Sequence, residues 1–251
     1  MREESLPINR KKHRVYSDNA RRMVRRLLVQ YAPKEKVGEL WRSVQLRYCQ
    51  LTKDAPPFGK IPHNEQFYDA LMVFAYLDTV PYVPPREVMQ QAVYETFMSA
   101  FDVLGAKIDA NKIRYNALMA GIFKLSVKAK AKQHDACPEW FDPTECTFDA
   151  GTGAVMYAFR RCPVADFALS HGFGKYLPYM CNCDHLALQR LHAGLIRTST
   201  CGVGDICDYT IVGDRSSLYA QYRTVTNEDG LLLSVRRDDA DDIPVKYGSL
   251  L

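Results

Sequence analysis

The sequence predicts an α+β protein: an N-terminal helical bundle packed on a C-terminal antiparallel sheet with interleaved helices. Apolar residues recur at three- and four-residue steps through the first half, which is the periodicity of helices buried on one face. The second half changes to an alternation of period two around glycines, which is typical of strands. Helices that precede strands favour an α+β architecture. We predict a helical half, residues 1–135, and a cysteine-rich half, residues 136–251, that form one compact unit.

Five helices are predicted in the first half. Ser17 or Asp18 caps the first helix, because either side chain can accept a hydrogen bond from the first backbone N–H groups. The segment 55–64 interrupts the pattern, since its three prolines and one glycine cannot continue a helix. The five apolar faces run from Tyr16 to Tyr31, Val37 to Leu51, Phe67 to Ala75, Val88 to Phe101 and Ile113 to Leu125.

Strand and helix patterns alternate in the second half. Residues 146–161 alternate around glycines with a period of two, which is a strand pattern. Pro163 opens a helix that ends near His171, and Pro178 opens another that ends near His192, because the fixed φ of proline suits the first helical turn. Two strand pairs complete the prediction, 195–201 with 206–212 and 218–225 with 231–235.

Charge and hydropathy argue against several classes of partner. The formal net charge is +4, and the basic run 10–14 is typical of a solvated terminus rather than of a nucleic-acid site. No stretch approaches the roughly 20 uninterrupted apolar residues of a membrane helix, and the first residues lack the apolar core of a signal peptide. We predict a cytoplasmic protein that binds a small-molecule substrate and neither nucleic acid nor membrane, with a homo-oligomer left open.

The eight cysteines are the first chemical signal. In a reducing compartment they are expected to be thiols, metal ligands or catalytic groups. Five of them lie between Cys162 and Cys207. If a divalent metal binds, Cys162, Cys181 and Cys207 are the expected ligands, because zinc favours thiolates. The spacing of Cys181 and Cys183 is not that of a zinc knuckle, so the sequence predicts no required cofactor.

Two spacings bring reactive side chains together. On a helix, Cys181, Asp184 and His185 share a face, because they lie three or four residues apart. That face then carries a thiol, a carboxylate and an imidazole within one turn. On a strand, Cys207 and Asp208 point to opposite sides, so only one of them can face the same cavity.

The second half contains an ordered set of motifs: Cys-Pro-x-x-Asp-Phe at 162–167, His-Gly at 171–172, Cys-x-x-Asp at 181–184, Arg-Thr at 197–198, Gly202 and Cys-Asp-Tyr at 207–209. This set resembles the signature of the L-2-amino-thiazoline-4-carboxylic acid hydrolase family. The resemblance covers residues 140–213 and extends weakly to Pro57-Phe58-Gly59-Lys60, and Cys183 departs from the family pattern.

The resemblance implies an enzyme that opens a cyclic isothiourea acid to a carbamoyl-cysteine. Such a hydrolysis needs a nucleophile, which is Cys181, Cys207 or an activated water. It also needs an acid that protonates the leaving sulfur or nitrogen. The remaining hypotheses assign Asp184 to the amidine-like nitrogens, Arg197 to the substrate carboxylate, Thr198 and Asp208 to substrate binding, and His171 or His185 to proton transfer.

Other interpretations of the same residues stay open. The chain can be a non-catalytic sensor of a small ligand or metal, since a fold does not fix a function. It can equally be a biosynthetic family member with altered chemistry. Asp208 has a structural interpretation, in which it ties down its own loop, and Arg197 has one as a structural ion pair.

Overall fold

The α+β class is confirmed: helices come first and an antiparallel sheet follows. The structure, a computed structural model, describes residues 16–56, 58, 61–62 and 64–238. The basic run 10–14 and most of the loop 57–60 lie outside the described residues. The chain divides into two compact units, residues 1–97 and 98–251, and the long helix that begins at Ile113 therefore belongs with the sheet.

The first unit contains four described helices that pack on one another. The first begins after Ser17, whose hydroxyl accepts a hydrogen bond from the backbone N–H of Ala20 at 3.1 Å, so the predicted cap is confirmed. The third is central, since every residue from Phe67 to Leu77 is buried. The helices are α1 (Asp18–Tyr31), α2 (Val37–Asp54), α3 (Glu65–Thr79) and α4 (Arg86–Phe97).

A buried carboxylate ties the start of α1 to α3. Asp69, which is only 6% exposed, accepts hydrogen bonds from the backbone N–H of Ser17 at 2.6 Å and from its hydroxyl at 2.8 Å. Burial raises the pKa of Asp69 to about 6, although the two hydrogen bonds from Ser17 lower it. Folding therefore favours the protonated carboxyl.

This carboxylate makes the stability of the first unit depend on pH. The contribution of the protonated Asp69 to the free energy of unfolding is fully present below the ordinary pKa of 3.8 and is lost as the pH rises through about 6. A shift of this size corresponds to about 3 kcal/mol. Asp69→Asn is expected to remove this loss, because its amide can still accept from the N–H of Ser17 and also donate to the hydroxyl. Urea unfolding between pH 4 and 7 measures it.

The matched control is Asp78→Asn, on the same helix. Asp78 is 35% exposed and pairs with Arg47 at 2.7 Å. We expect this variant to keep the wild-type pH dependence. An Asp69→Asn protein whose stability falls between pH 4 and 7 as steeply as that of the wild type would contradict the assignment.

The second unit is an antiparallel sheet with helices against it. Its order is β1-β3-β5-β4, with β2 also paired to β3, and β6 and β7 form a separate two-stranded sheet. The helices are α5 (Ala100–Gly105), α6 (Ile113–Ala136), α7 (Pro163–Ser170), α8 (Leu177–Cys181) and α9 (Cys183–Arg190). The strands are β1 (Asp142–Pro143), β2 (Thr147–Asp149), β3 (Ala154–Arg161), β4 (Ala193–Ile196), β5 (Cys207–Gly213), β6 (Tyr222–Thr226) and β7 (Leu232–Arg236).

The predicted strand pattern over 146–161 divides into two strands, because β2 and β3 form a hairpin there. The carboxylate of Asp149 accepts from the N–H of Gly151 and the hydroxyl of Thr152, which stabilises the turn. Gly153 completes it with a φ of +72°, a conformation that favours glycine. The fourth predicted helix likewise divides, with α4 ending at Phe97 before α5 begins.

The predicted helix from 178 to 192 divides into α8 and α9 at Asn182. The side chain of Asn182 donates to the carbonyl of Gly230 at 3.0 Å and accepts from the N–H of Leu232 at 2.9 Å. These contacts attach the helical segment to the turn between β6 and β7, the hairpin that the sequence predicts. Cys181 and Asp184 thus sit on either side of the division.

Strands β4 and β5 are paired as predicted, with Leu195 opposite Ile211. Strand β4 ends earlier than predicted, at Ile196 instead of Cys201. The carboxylate of Asp208 accepts hydrogen bonds from the backbone N–H groups of Thr198 and Ser199, so these residues do not continue the pairing of β4 with β5. None of the described helices is long and apolar enough to cross a membrane.

One face of this sheet packs on α6 and carries the core of the unit. Val155, Leu195 and Ile211 lie on it beside Met119 of α6. Because strand side chains alternate, Tyr157 and Tyr209 lie on the same face. The residues that follow along this face, toward the Cys207 end of β5, are the polar residues of the candidate site.

Candidate functional site

Arg197 lies directly after β4 on the α6-facing side and is fully buried. Its Nη1 donates to Oδ2 of Asp184 at 3.0 Å, and its Nη2 donates to the carbonyl oxygens of Cys181 at 2.9 Å and Leu232 at 3.4 Å. Burial opposes its charge, but Tyr209 and Asp184 hold the pKa of Arg197 above its ordinary value. The guanidinium is therefore engaged inside the protein.

Asp184 occupies the first turn of α9 and presents one carboxylate oxygen to the protein. Its Oδ2 accepts from Arg197 and also from the hydroxyl of Tyr209 at 2.8 Å. Its Oδ1 has no hydrogen-bond partner among the residues that the structure describes, and 21% of the side chain is exposed. The carboxylate is thus held in place by one oxygen, while no described group bonds to the other.

Burial sets the protonation chemistry of this carboxylate. It raises the pKa of Asp184, while the charge of Arg197 and the hydrogen bond from Tyr209 act in the opposite direction. A carboxyl group with a raised pKa can both accept and return a proton nearer neutral pH than an ordinary aspartate.

Tyr209 is a site residue that the sequence analysis did not assign. Its ring stacks on that of Tyr157, opposite it on β3, with centroids 4.8 Å apart and planes at 6°. The guanidinium carbon of Arg197 lies 5.9 Å from the ring centroid of Tyr209. The available signal was its position two residues after Cys207, which places both on one strand face.

Two thiols accompany the carboxylate. Cys207 is 8% exposed and Cys181 ends α8. Burial raises the pKa of both thiols, although the charge of Arg197 lowers it. Both are therefore thiols at neutral pH, and either needs a base to become a nucleophile. We call Cys181, Asp184, Arg197, Cys207 and Tyr209 the Asp184 cluster.

The other cysteines of the segment differ in their surroundings. Burial raises the pKa of Cys162 and of Cys201 to about 12. Cys183 is buried and donates to the carbonyl of Tyr179 at 3.2 Å. Within residues 16–238, apart from the undescribed positions near 60, no three histidine, cysteine or acidic side chains are grouped as metal ligands.

The two candidate histidines are placed differently. His185 is 5% exposed, and its Nε2 lies 3.3 Å from the carbonyl of Leu232. Burial, together with the charge of Arg197, lowers its pKa to about 3, so the imidazole is neutral at physiological pH. His171 instead follows the end of α7, where it stacks on Phe167 and contacts Ser170 of that helix.

Thr198 and Asp208 lie apart from the Asp184 cluster. Asp208 points to the opposite face of β5 from Cys207 and Tyr209. Besides the two backbone N–H groups, it accepts a hydrogen bond from the hydroxyl of Thr198 at 2.9 Å. The pair closes its own loop, which is the structural interpretation left open for Asp208.

No protein-family model, curated protein or solved structure matches this chain. The function proposed below therefore rests on the geometry of the Asp184 cluster and on the motif resemblance of the sequence. Both involve Cys181, Asp184, Arg197 and Cys207.

Proposed function

We propose that the chain is a hydrolase that opens a small cyclic amidine acid, such as 2-amino-thiazoline-4-carboxylate, to a carbamoyl amino acid. The observation that carries this proposal is the partly exposed Asp184, whose Oδ2 is fixed by Arg197 and Tyr209 while Oδ1 has no partner among the described residues. The ordered motifs from Cys162 to Tyr209 support the same activity through their resemblance to the hydrolase family.

A carboxylate held in this way suits an amidine. The central carbon of an amidine carries nitrogen donors, and a carboxylate accepts charge-assisted hydrogen bonds from them. Because Oδ2 already accepts two hydrogen bonds, the ligand is received at Oδ1 in a fixed direction. This orientation lowers the entropic cost of placing the reacting carbon.

The proposed reaction consumes one water. Water adds to the central carbon of the ring, and Asp184 takes one of its protons. Asp184 passes this proton to the ring nitrogen, takes the second proton from the hydroxyl that the addition leaves, and gives it to the leaving atom as the bond from that carbon to sulfur or to the ring nitrogen breaks. The oxygen of the water becomes the carbamoyl oxygen. If Cys181 or Cys207 attacks first, the same carboxylate removes the thiol proton; water then displaces the cysteine sulfur from the carbon, and the thiol recovers its proton.

Arg197 has a different proposed role from the one the sequence suggests. Its guanidinium contacts Asp184 and two backbone carbonyls, so we assign it to positioning Asp184 rather than to the substrate carboxylate. Its charge also disfavours protonation of Asp184 and of both thiols.

Incubation with a panel of thiazoline and related cyclic amidine acids in ¹⁸O-labelled water tests the activity. We expect a product heavier than the substrate by one labelled water, with the label in the carbamoyl group. No labelled product from any acid of the panel would refute the hydrolase. Cys181→Ser and Cys207→Ser, with Cys137→Ser as a control outside the Asp184 cluster, identify the nucleophile: full turnover in both leaves water as the attacking group.

A non-catalytic ligand sensor is the second candidate. The observation that favours it is that the cysteines of the Asp184 cluster have raised pKa values and that His185 has a pKa of about 3, so the resting site contains no ionised thiol and no protonated imidazole. A sensor would bind an acid of the panel saturably and give no labelled product.

A further inference from the structure

A cavity of about 270 Å³ lies at the other end of the sheet from the Asp184 cluster. Its walls come from the start of α6, the turn between β2 and β3, and the end of β5. Gly213 in this wall is four residues beyond Tyr209, which is about 13 Å along a strand. The cavity is therefore a separate feature of the second unit.

A buried amide in the cavity wall has an acceptor without a partner. Asn116 of α6 is 3% exposed, and its Nδ2 donates to the carbonyl of Ala110 at 2.8 Å. This bond fixes the orientation of the amide, because the reversed amide would place two oxygens against each other. Its Oδ1 is buried and has no hydrogen-bond partner among the described residues. Buried acceptors are normally satisfied, so a donor from outside the described chain, a water or a ligand group, is expected at this oxygen.

Glycine keeps the space beside this amide open. Gly153 adopts a φ of +72°, and a Cβ there would come within 3.3 Å of Nδ2 of Asn116 and 3.4 Å of a side-chain carbon of Ile113. Asn116 and Ile113 both line the cavity. A side chain at position 153 would therefore crowd the wall in which the free acceptor lies.

One cation lines the same cavity. The side chain of Arg215 is 80% exposed, and its charged contact is a 3.9 Å approach of Nε to Asp214. Most of its five N–H donors therefore remain available to an anion. The neighbouring Ser216 accepts from the backbone N–H of Tyr219 at 3.1 Å, so its own hydroxyl proton is also available.

We propose that this cavity binds a small carboxylate that carries a hydroxyl or amino group. The hydroxyl or amino group donates to Oδ1 of Asn116, and the carboxylate pairs with Arg215 and the hydroxyl of Ser216. The volume of about 270 Å³ is large enough for a molecule of three or four carbons. This site and its ligand are independent of the proposed hydrolase.

Titration of the ¹⁵N-labelled full chain, followed by NMR, tests the proposal with D-glycerate as the probe. Saturable shifts are expected for the backbone amides of Gly151, Gly153 and Gly213. Two matched probes lack one half of the recognition: propionate has no hydroxyl, and glycerol has no carboxylate. Each should bind at least tenfold more weakly than glycerate. Arg215→Gln should weaken glycerate at least fivefold and leave glycerol unchanged.

Several outcomes would overturn the proposal. Flat titrations with all three probes would mean that Asn116 bonds only to water. Propionate as tight as glycerate would remove the acceptor from recognition, and wild-type affinity in Arg215→Gln would remove the cation. Shifts that appear at Tyr209 and not at Gly153 would place the ligand at the Asp184 cluster instead.

Discussion

Asp184→Asn is expected to lower turnover of the cyclic amidine by about 10²- to 10⁴-fold, the range for loss of a general acid–base group, while the fold is retained. The asparagine oxygen takes the place of Oδ2, because Arg197 and Tyr209 both donate to that atom. Its Nδ2 then stands where Oδ1 stood. A donor thus replaces the acceptor that receives the amidine, and the neutral amide cannot take a proton.

The rate of product formation, measured by mass spectrometry across substrate concentrations, checks this expectation. Asp205→Asn is the control, since Asp205 is an exposed carboxylate in the loop before β5. We expect wild-type turnover in the control and unchanged circular dichroism in both variants. Wild-type turnover in a folded Asp184→Asn protein would exclude Asp184 from the chemistry.

Arg197→Met should cost about 3–5 kcal/mol in the free energy of unfolding. The guanidinium is fully buried, and its removal leaves the carboxylate of Asp184 in a poorly solvated position without its cation. Breaking a buried pair on one side is costly for this reason. The carbonyl oxygens of Cys181 and Leu232 also lose a donor. Urea denaturation at pH 7 measures the effect.

A double variant separates the charge from the packing. Arg197→Met combined with Asp184→Asn should cost less than the sum of the single changes, because the unpaired charge is gone. The surface control is Arg161→Met, whose ion pair with Asp166 is nearly half exposed on both sides and should contribute less than about 1 kcal/mol. Equal costs for Arg161→Met and Arg197→Met would contradict the buried pair.

The features of the fold that could be predicted are those that depend on residues close together in the sequence. The cap at Ser17 and the order of helices before strands depend on neighbours in sequence, and the structure confirms them. The division of the helix at Asn182 depends on Gly230 and Leu232, about fifty residues away, which no local spacing reveals. The early end of β4 has the same kind of cause, since it depends on Asp208.

The candidate site divides in the same way. Helical spacing places Cys181 near Asp184, but the approach of Arg197 and Tyr209 to Asp184 arises from strand pairing and helix packing. The internal use of Arg197 could not be predicted, because complete burial of a charged side chain is a tertiary property. Asp208 is the opposite case: the sequence suggests substrate binding for this motif residue, but in the structure its carboxylate closes a loop.

The hairpin of β6 and β7 sets the length of the shortest fragment of this protein that keeps the contacts of the Asp184 cluster. The hairpin follows Asp214, beyond the stretch with family-like motifs. The carbonyl of Leu232 nevertheless accepts hydrogen bonds from Arg197 and His185, and the N–H of Ser234 donates to the carbonyl of Arg197 at 2.6 Å. A chain that ends after Asp214 would remove hydrogen-bond partners of the buried guanidinium of Arg197 and of the buried side-chain amide of Asn182. Shortened versions for crystallisation or screening therefore have to continue through Ser234.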